Sequence, residues 1–337
     1  MQRTAIRDWL IHCADPLGPR TRPPRRPLAA SLAHEFVHRA EYHGVLAALF
    51  QNFAPFAEAS GGGDQADFTE ARSEARQHHR LQRAFALMLE AQADAVMADA
   101  NDIPATIIKG PAFARQIYPE PWYRPFTDID MLVARRGLAP LEAVLAARGF
   151  RPDDVQDPTG EVRSWVHDEF RPTLFELHLN LVTSNQKWHC SLCYDDIADG
   201  PQRPAALLIT AIIHGGATHR FLRMQHLVDV CQAARQVTAA KEEAAFAALA
   251  KKANAQTLAG ASLLLVGRIM TEPMCLELAT LLGKSHLARI AGRSLGKTAV
   301  TAAEDEFGAT ARMQRQMFRK LIGLGDPIID PPELGQT

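Results

Sequence analysis

The sequence predicts an α+β fold, a small mixed β-sheet with its own helices set between N- and C-terminal helical segments. Three observations predict it. Short β-rich runs at 105–108, 127–133 and 173–179 are separated by stretches of helical spacing. Apolar residues recur with helical period before Pro104, and again beyond Pro204 almost to Gly323. The 337 residues are 47% hydrophobic and 22% charged, the balance of a globular chain with a sizeable core.

Taken in order, residues 1–30 form a Pro/Arg-rich segment, and 18–27 (GPRTRPPRRP) cannot hold a regular element. A helical region is expected over 31–100. Helical spacing runs from Leu32 to Phe53 and is broken by Pro55, and Ser60-Gly61-Gly62-Gly63 is a flexible connection. A long helix then extends from about Glu70 to Ala98, with Leu81, Phe85, Met88, Leu89 and Val96 as its core-facing stripe. The core spans 101–185. Its first strand ends at Lys109-Gly110, and Pro111 opens a short helix that Pro119 and Pro121 end. After the second strand, Leu138, Leu141, Val144 and Leu145 mark a helix stopped by Gly149. A C-terminal helical domain is expected over 200–323, with a tail at 324–337.

Net charge is −1, so no global positive field recruits long nucleic acid. No apolar run is long enough to span a bilayer, and the N-terminus has no uninterrupted apolar signal region. Five cysteines in a chain this long are not a disulfide framework, and Cys190-x-x-Cys193 beside His189 is half a zinc motif. These features predict a cytoplasmic protein with no membrane partner.

The chemistry lies in the strands. Residues i and i+2 of a strand share a face, so Asp128 and Asp130 converge while Ile129, Met131 and Val133 face the core. Two like charges side by side call for a cation, and Mg²⁺ or Mn²⁺ held by carboxylates and substrate phosphates fits. Glu176 alternates with Phe175 and Leu177 and is placed to add a third carboxylate. Upstream, Gly110 lets the backbone bend into a helix whose N-terminal N–H groups form a phosphate seat, with Lys109 and Arg124 as added cations. A phosphate cradle, two strand aspartates and a strand glutamate are what nucleotidyl transfer requires.

The run IIKGPAFARQIYPEPWYRPFTDIDMLV, a helix ending in ARGF, and FELHLNL resemble the bacterial uncharacterised nucleotidyltransferase family of the DNA-polymerase-β-like superfamily. AEYHGVLAALFQNF and IIHGGATHRFLRMQHLVDV resemble its leading helix and following helical region, extending the likeness over most of 35–285. The resemblance implies a minimal nucleotidyltransferase core. In it Asp128, Asp130 and Glu176 are catalytic and metal-binding, and Lys109, Gly110 and Arg124 bind the nucleotide. It implies a nucleoside triphosphate substrate, expected to be ATP, whose monophosphate moves to an acceptor hydroxyl. The near-neutral charge tilts that acceptor toward a small molecule, peptide or protein over RNA. Pro111 departs from the superfamily pattern, where a second small residue usually follows the turn glycine, and it removes one N–H donor.

Two rivals follow. The same fold with weakened catalysis would be a nucleotide-binding module, which Pro111 favours. His34-Glu35-Phe36-Val37-His38 spells the H-E-x-x-H of zinc metalloproteases, without the extended histidine continuation. His178 is read as a hydrogen-bonded structural histidine, while His214, His219, Arg220 and Arg223, expected on a helix, are placed equally well to line the nucleotide pocket or to pack and cap, and are left out of the site.

Overall fold

A computed structural model describes residues 2–26, 28–59, 65–157, 160–169, 173–181, 192–283, 285–302 and 308–323. The expected connection at 60–63, the His189–Cys190 half of the zinc motif and the tail at 324–337 lie outside these. Cys13, Cys193, Cys231 and Cys275 are free thiols. No helix among the described residues is long and apolar enough to cross a membrane.

The fold is α+β. Five strands form one mixed sheet: β1 (Ala105–Ile107), β2 (Ile129–Val133), β3 (Phe150–Pro152), β4 (Val162–His167) and β5 (Leu174–His178). Their order is β1-β2-β5-β4-β3, with β2 and β5 parallel and every other neighbour antiparallel. The predicted runs contain β1, β2 and β5. β3 and β4 carry no clear sequence signal, because β3 is three residues long and ends in proline, while β4 alternates only partly.

The sheet separates two cores. Ile129, Met131 and Val133 of β2 pack with Leu89 and Val96 of the long helix and with Leu141 and Leu145 of the helix Leu138–Ala147. Leu132, on the opposite face of β2, joins a larger core built from the N-terminal helices and the helices beyond Pro204. Asp130 lies on that second face, so period-2 alternation aims its carboxylate at the C-terminal helical region.

Four sequence expectations need correction. The Pro/Arg-rich segment begins with a helix, Gln2–Cys13, whose Ile6 and Leu10 are fully buried, whereas 18–26 are irregular as expected. The stretch from Leu32 is two helices, Ala33–Tyr42 and Leu46–Ala59, and the break falls at Gly44, not Pro55. Gly44 has φ +67°, and a Cβ there would strike the Gln225 side chain, so a continuous helix has no room to form. The long helix runs Gln65–Asp99, and of the expected stripe Leu89 and Val96 are buried with Phe85 and Met88 packed against that core, but Leu81 is 63% exposed. Finally, Ile213–Thr218 is a π-helix, and Arg220 and Phe221 are left-handed, so 214–223 is not the regular helix expected.

His43, fully buried after the helix Ala33–Tyr42, accepts a hydrogen bond from the Met224 N–H at Nδ1. Burial lowers its pKa from 6.5 to about 4, and Arg39, Arg223 and Arg315 add to the effect. The unfolded chain therefore binds the extra proton first as pH falls. Stability is full above about pH 6.5 and is lost between pH 6.5 and 4, with this residue alone removing about 2 kcal/mol at pH 5. Urea unfolding at pH 7 and pH 5 should show a loss to which His43 contributes that amount, and His43→Gln should reduce the pH dependence by about 2 kcal/mol, with His214, His219 and His226 carrying part of the rest.

Candidate active site

The parallel pairing of β2 and β5 sets Asp130 directly beside Glu176, and Leu132 beside His178. Alternation then places Asp130, Glu176 and His178 together, with ligand-capable atoms all within 4.8 Å of one another. His178 Nε2 lies 2.9 Å from Asp130 Oδ1 and 3.4 Å from Glu176 Oε2. Lys109 Nζ lies 2.6 Å from the same Asp130 oxygen. Burial alone would raise the Asp130 pKa, but Lys109 and His178 overcome it and hold the carboxyl well below its usual range. Burial would likewise lower the His178 pKa, and its bonds to Asp130 and Glu176 raise it instead.

Asp128 stands just before β2, one residue short of the strand, and is partly buried. Burial first, and the neighbouring Asp130 charge second, raise its pKa to about 6. Two carboxylates that disfavour each other's charge form a place where a cation is stabilising. Asp130 and Glu176 offer the oxygen donors that suit a hard divalent ion, Asp128 is not in the group they form with His178, and the Lys109 ammonium already occupies a cation's position on Asp130.

Gly110 joins β1 to the short helix Pro111–Gln116 with φ +51° and ψ −115°. A Cβ would sit 2.9 Å from the Asp128 backbone oxygen. The turn therefore lies directly against the chain that carries the acids, and only glycine permits both the angle and the approach. Gly110→Ala should cost about 1–3 kcal/mol of stability in urea unfolding and displace Asp128. The amide seat is poorer than expected. Pro111 has no N–H, and the Ala112 N–H donates to the Lys109 carbonyl at 3.0 Å.

Arg124 is drawn elsewhere. Its Nε and Nη2 donate to Asp229 Oδ1 and Oδ2 at 2.9 and 3.1 Å, and the Tyr118 hydroxyl donates to the same carboxylate at 2.8 Å. Arg124 is 4% and Asp229 1% exposed, and the guanidinium lies 5.0 Å from the Phe113 ring centroid. This buried fork ties the region before β2 to the helix Met224–Ala240, and it gives the expected nucleotide-binding arginine a structural partner.

Of the six residues singled out in the sequence, Asp130, Glu176 and Lys109 come together. Asp128 and Gly110 adjoin them, and Arg124 is turned toward Asp229. His178 was legible as sharing a face with Glu176, but its bond to Asp130 depends on the strand pairing. Beyond Lys109, whose Nζ is 3.3 Å from His214 Nδ1, lies a second group: His214, His219 and His226. The H-E-x-x-H residues form no such group among the described residues. His34 pairs with Glu74 at 3.6 Å and Glu35 with Arg39 at 2.9 Å.

Residues 30–271 match the model of the family described as uncharacterised nucleotidyltransferase, and the chain belongs to that family. No curated protein and no solved structure matches the chain. The family membership and the mixed sheet flanked by helices agree on a nucleotidyltransferase fold.

Proposed function

We propose that this protein transfers a nucleoside monophosphate, AMP from ATP, to a hydroxyl on a small molecule, peptide or protein, with Mg²⁺ or Mn²⁺ as cofactor. The observation that carries the reading is the pairing of Asp130 with Glu176 on adjacent parallel strands, with Asp128 just before them. Asp128, Asp130 and Glu176 would hold the metal. When bound, the metal supplies charge neutralisation on the triphosphate and the departing pyrophosphate.

The chain's own residues account for the rest. Lys109, 2.6 Å from Asp130, is the ammonium nearest the acids and would serve the phosphates where Asp130 is engaged by a metal. Asp128 must be ionised to act as a ligand, and a pKa of about 6 makes that complete only toward neutral pH. His178 donates toward Asp130 and Glu176 and fixes how both carboxylates point. Glu176 accepts the acceptor hydroxyl's proton as that oxygen bonds to the α-phosphorus. The bond from the α-phosphorus to the bridging oxygen breaks, and pyrophosphate leaves with that electron pair.

The loss of amide donors at Pro111 and Ala112 favours one alternative, a nucleotide-binding module without transfer. A single experiment separates the readings. Protein is incubated with Mg²⁺, candidate acceptors and ATP labelled at either the α- or the γ-phosphorus. Label from the α position, matched by pyrophosphate release, supports monophosphate transfer. Label from the γ position alone contradicts it, and saturable ATP binding with no product in any acceptor pool favours the module.

A further inference from the structure

We infer that His214, His219 and His226, together with Lys109, form the subsite for the β- and γ-phosphates of the nucleotide. The inference rests on the nucleotide reading above and assigns the C-terminal helical region a role in holding substrate.

Position comes first. Lys109 bridges the two clusters, 2.6 Å from Asp130 Oδ1 on one side and 3.3 Å from His214 Nδ1 on the other. A triphosphate whose α-phosphate lies at the acids and whose tail follows Lys109 arrives at these rings. The short helix after Gly110 offers few free amides, so the tail needs other donors, and the histidines lie on the far side of Lys109 from Asp130.

The backbone is bent to make this cluster. The π-helix Ile213–Thr218 carries His214, and the left-handed Arg220 and Phe221 turn the chain back so that His226 meets it. That conformation is held by the Phe221 N–H donating to the Gly215 carbonyl at 2.7 Å and by Arg315 Nη1 donating to the Arg220 carbonyl at 2.6 Å. Irregular backbone fixed by its surroundings in this way is characteristic of functional sites.

Charge and ring geometry decide between an anion and a metal. Burial above all, and then Lys109 and Arg223, lower the pKa of these rings, so they stand neutral, as hydrogen-bond donors rather than charges. Lys109, whose ammonium touches His214, favours an anion over a divalent cation beside that ring. The His219 and His226 rings are stacked, 4.8 Å apart and 17° from parallel. A metal lies in the plane of each imidazole that binds it, and two stacked rings share no such point. Their N–H edges can each donate to a different phosphate oxygen.

The test is calorimetric titration of the full-length protein with ATP, inorganic tripolyphosphate and AMP in Mg²⁺. The variants are His219→Gln and, separately, His226→Gln, each checked for an unchanged melting transition. His219 is only partly buried, so its variant keeps the test open if the other fails to fold. The expected result is at least a tenfold loss of affinity for ATP and tripolyphosphate in His219→Gln, with AMP unchanged. Unchanged ATP affinity, or an equal loss for AMP, would overturn the subsite. So would a stoichiometric transition metal in the purified protein that the variant lacks. Tripolyphosphate binding lost in His219→Gln, without monophosphate transfer by the wild type, would keep the subsite and remove the transfer reading. A wild type that binds neither ligand overturns both.

Discussion

Asp130→Asn is expected to lower nucleotidyl transfer by about three orders of magnitude, the loss that follows when several kcal/mol of metal-mediated stabilisation leave the transition state. Its carboxylate is held from two sides and lies beside a second acid. Lys109 and His178 both meet its Oδ1, and Glu176 lies beside it on β5. Asparagine keeps the shape and removes the charge, so Mn²⁺ affinity measured by paramagnetic resonance should fall with activity. The variant also leaves a buried ammonium without its ion pair, and some loss of stability should accompany it. Lys109→Met provides the contrast. It frees Asp130, so it should strengthen Mn²⁺ binding in the absence of nucleotide while weakening ATP binding. Weaker Mn²⁺ binding in Lys109→Met would mean that the lysine is no competitor for the metal's position.

Asp229→Ala should destabilise the fold by about 3–5 kcal/mol in urea unfolding, because it strands a buried guanidinium and the Tyr118 hydroxyl together. The joint replacement Arg124→Met with Asp229→Leu removes both charges from an apolar setting beside Phe113, and it should recover most of that loss. It should also bind ATP with wild-type affinity, since Arg124 is fully engaged by Asp229. A double variant that is stable but has lost ATP would return Arg124 to the nucleotide.

The parts of the site that were legible in the sequence are those set by local rules. Alternation along 127–133 and 173–179 gave the faces of Asp130 and Glu176, and the Lys-Gly-Pro turn marked where a strand enters a helix. Pairing between distant segments was not legible. That Asp130 lies against Glu176 depends on β2 and β5 being parallel neighbours, and Arg124 meets Asp229 across 105 positions of sequence. The same holds for the histidine cluster, since a helix with regular spacing would not bring His214, His219 and His226 together. The π-helix and two left-handed residues do so, and neither Arg220 nor Phe221 advertises a positive φ. Gly44, by contrast, was a signal available in the sequence, overshadowed by Pro55, which the helix Leu46–Ala59 accommodates. Strands β3 and β4 were hidden by brevity, a terminal proline and a half-exposed pattern.

In the proposed reaction the acids before and on β2, with Glu176, hold a divalent metal against a nucleotide. A crystal structure of the protein with Mn²⁺ and a non-hydrolysable ATP analogue, read by the anomalous signal of manganese, tests it most directly. Manganese is expected on Asp128 and Asp130 within reach of Glu176, with Lys109 displaced from Asp130 onto the triphosphate and the phosphate tail at His214 and His219. Manganese bound away from Asp130, or the analogue bound with Lys109 still paired to that carboxylate, would contradict it.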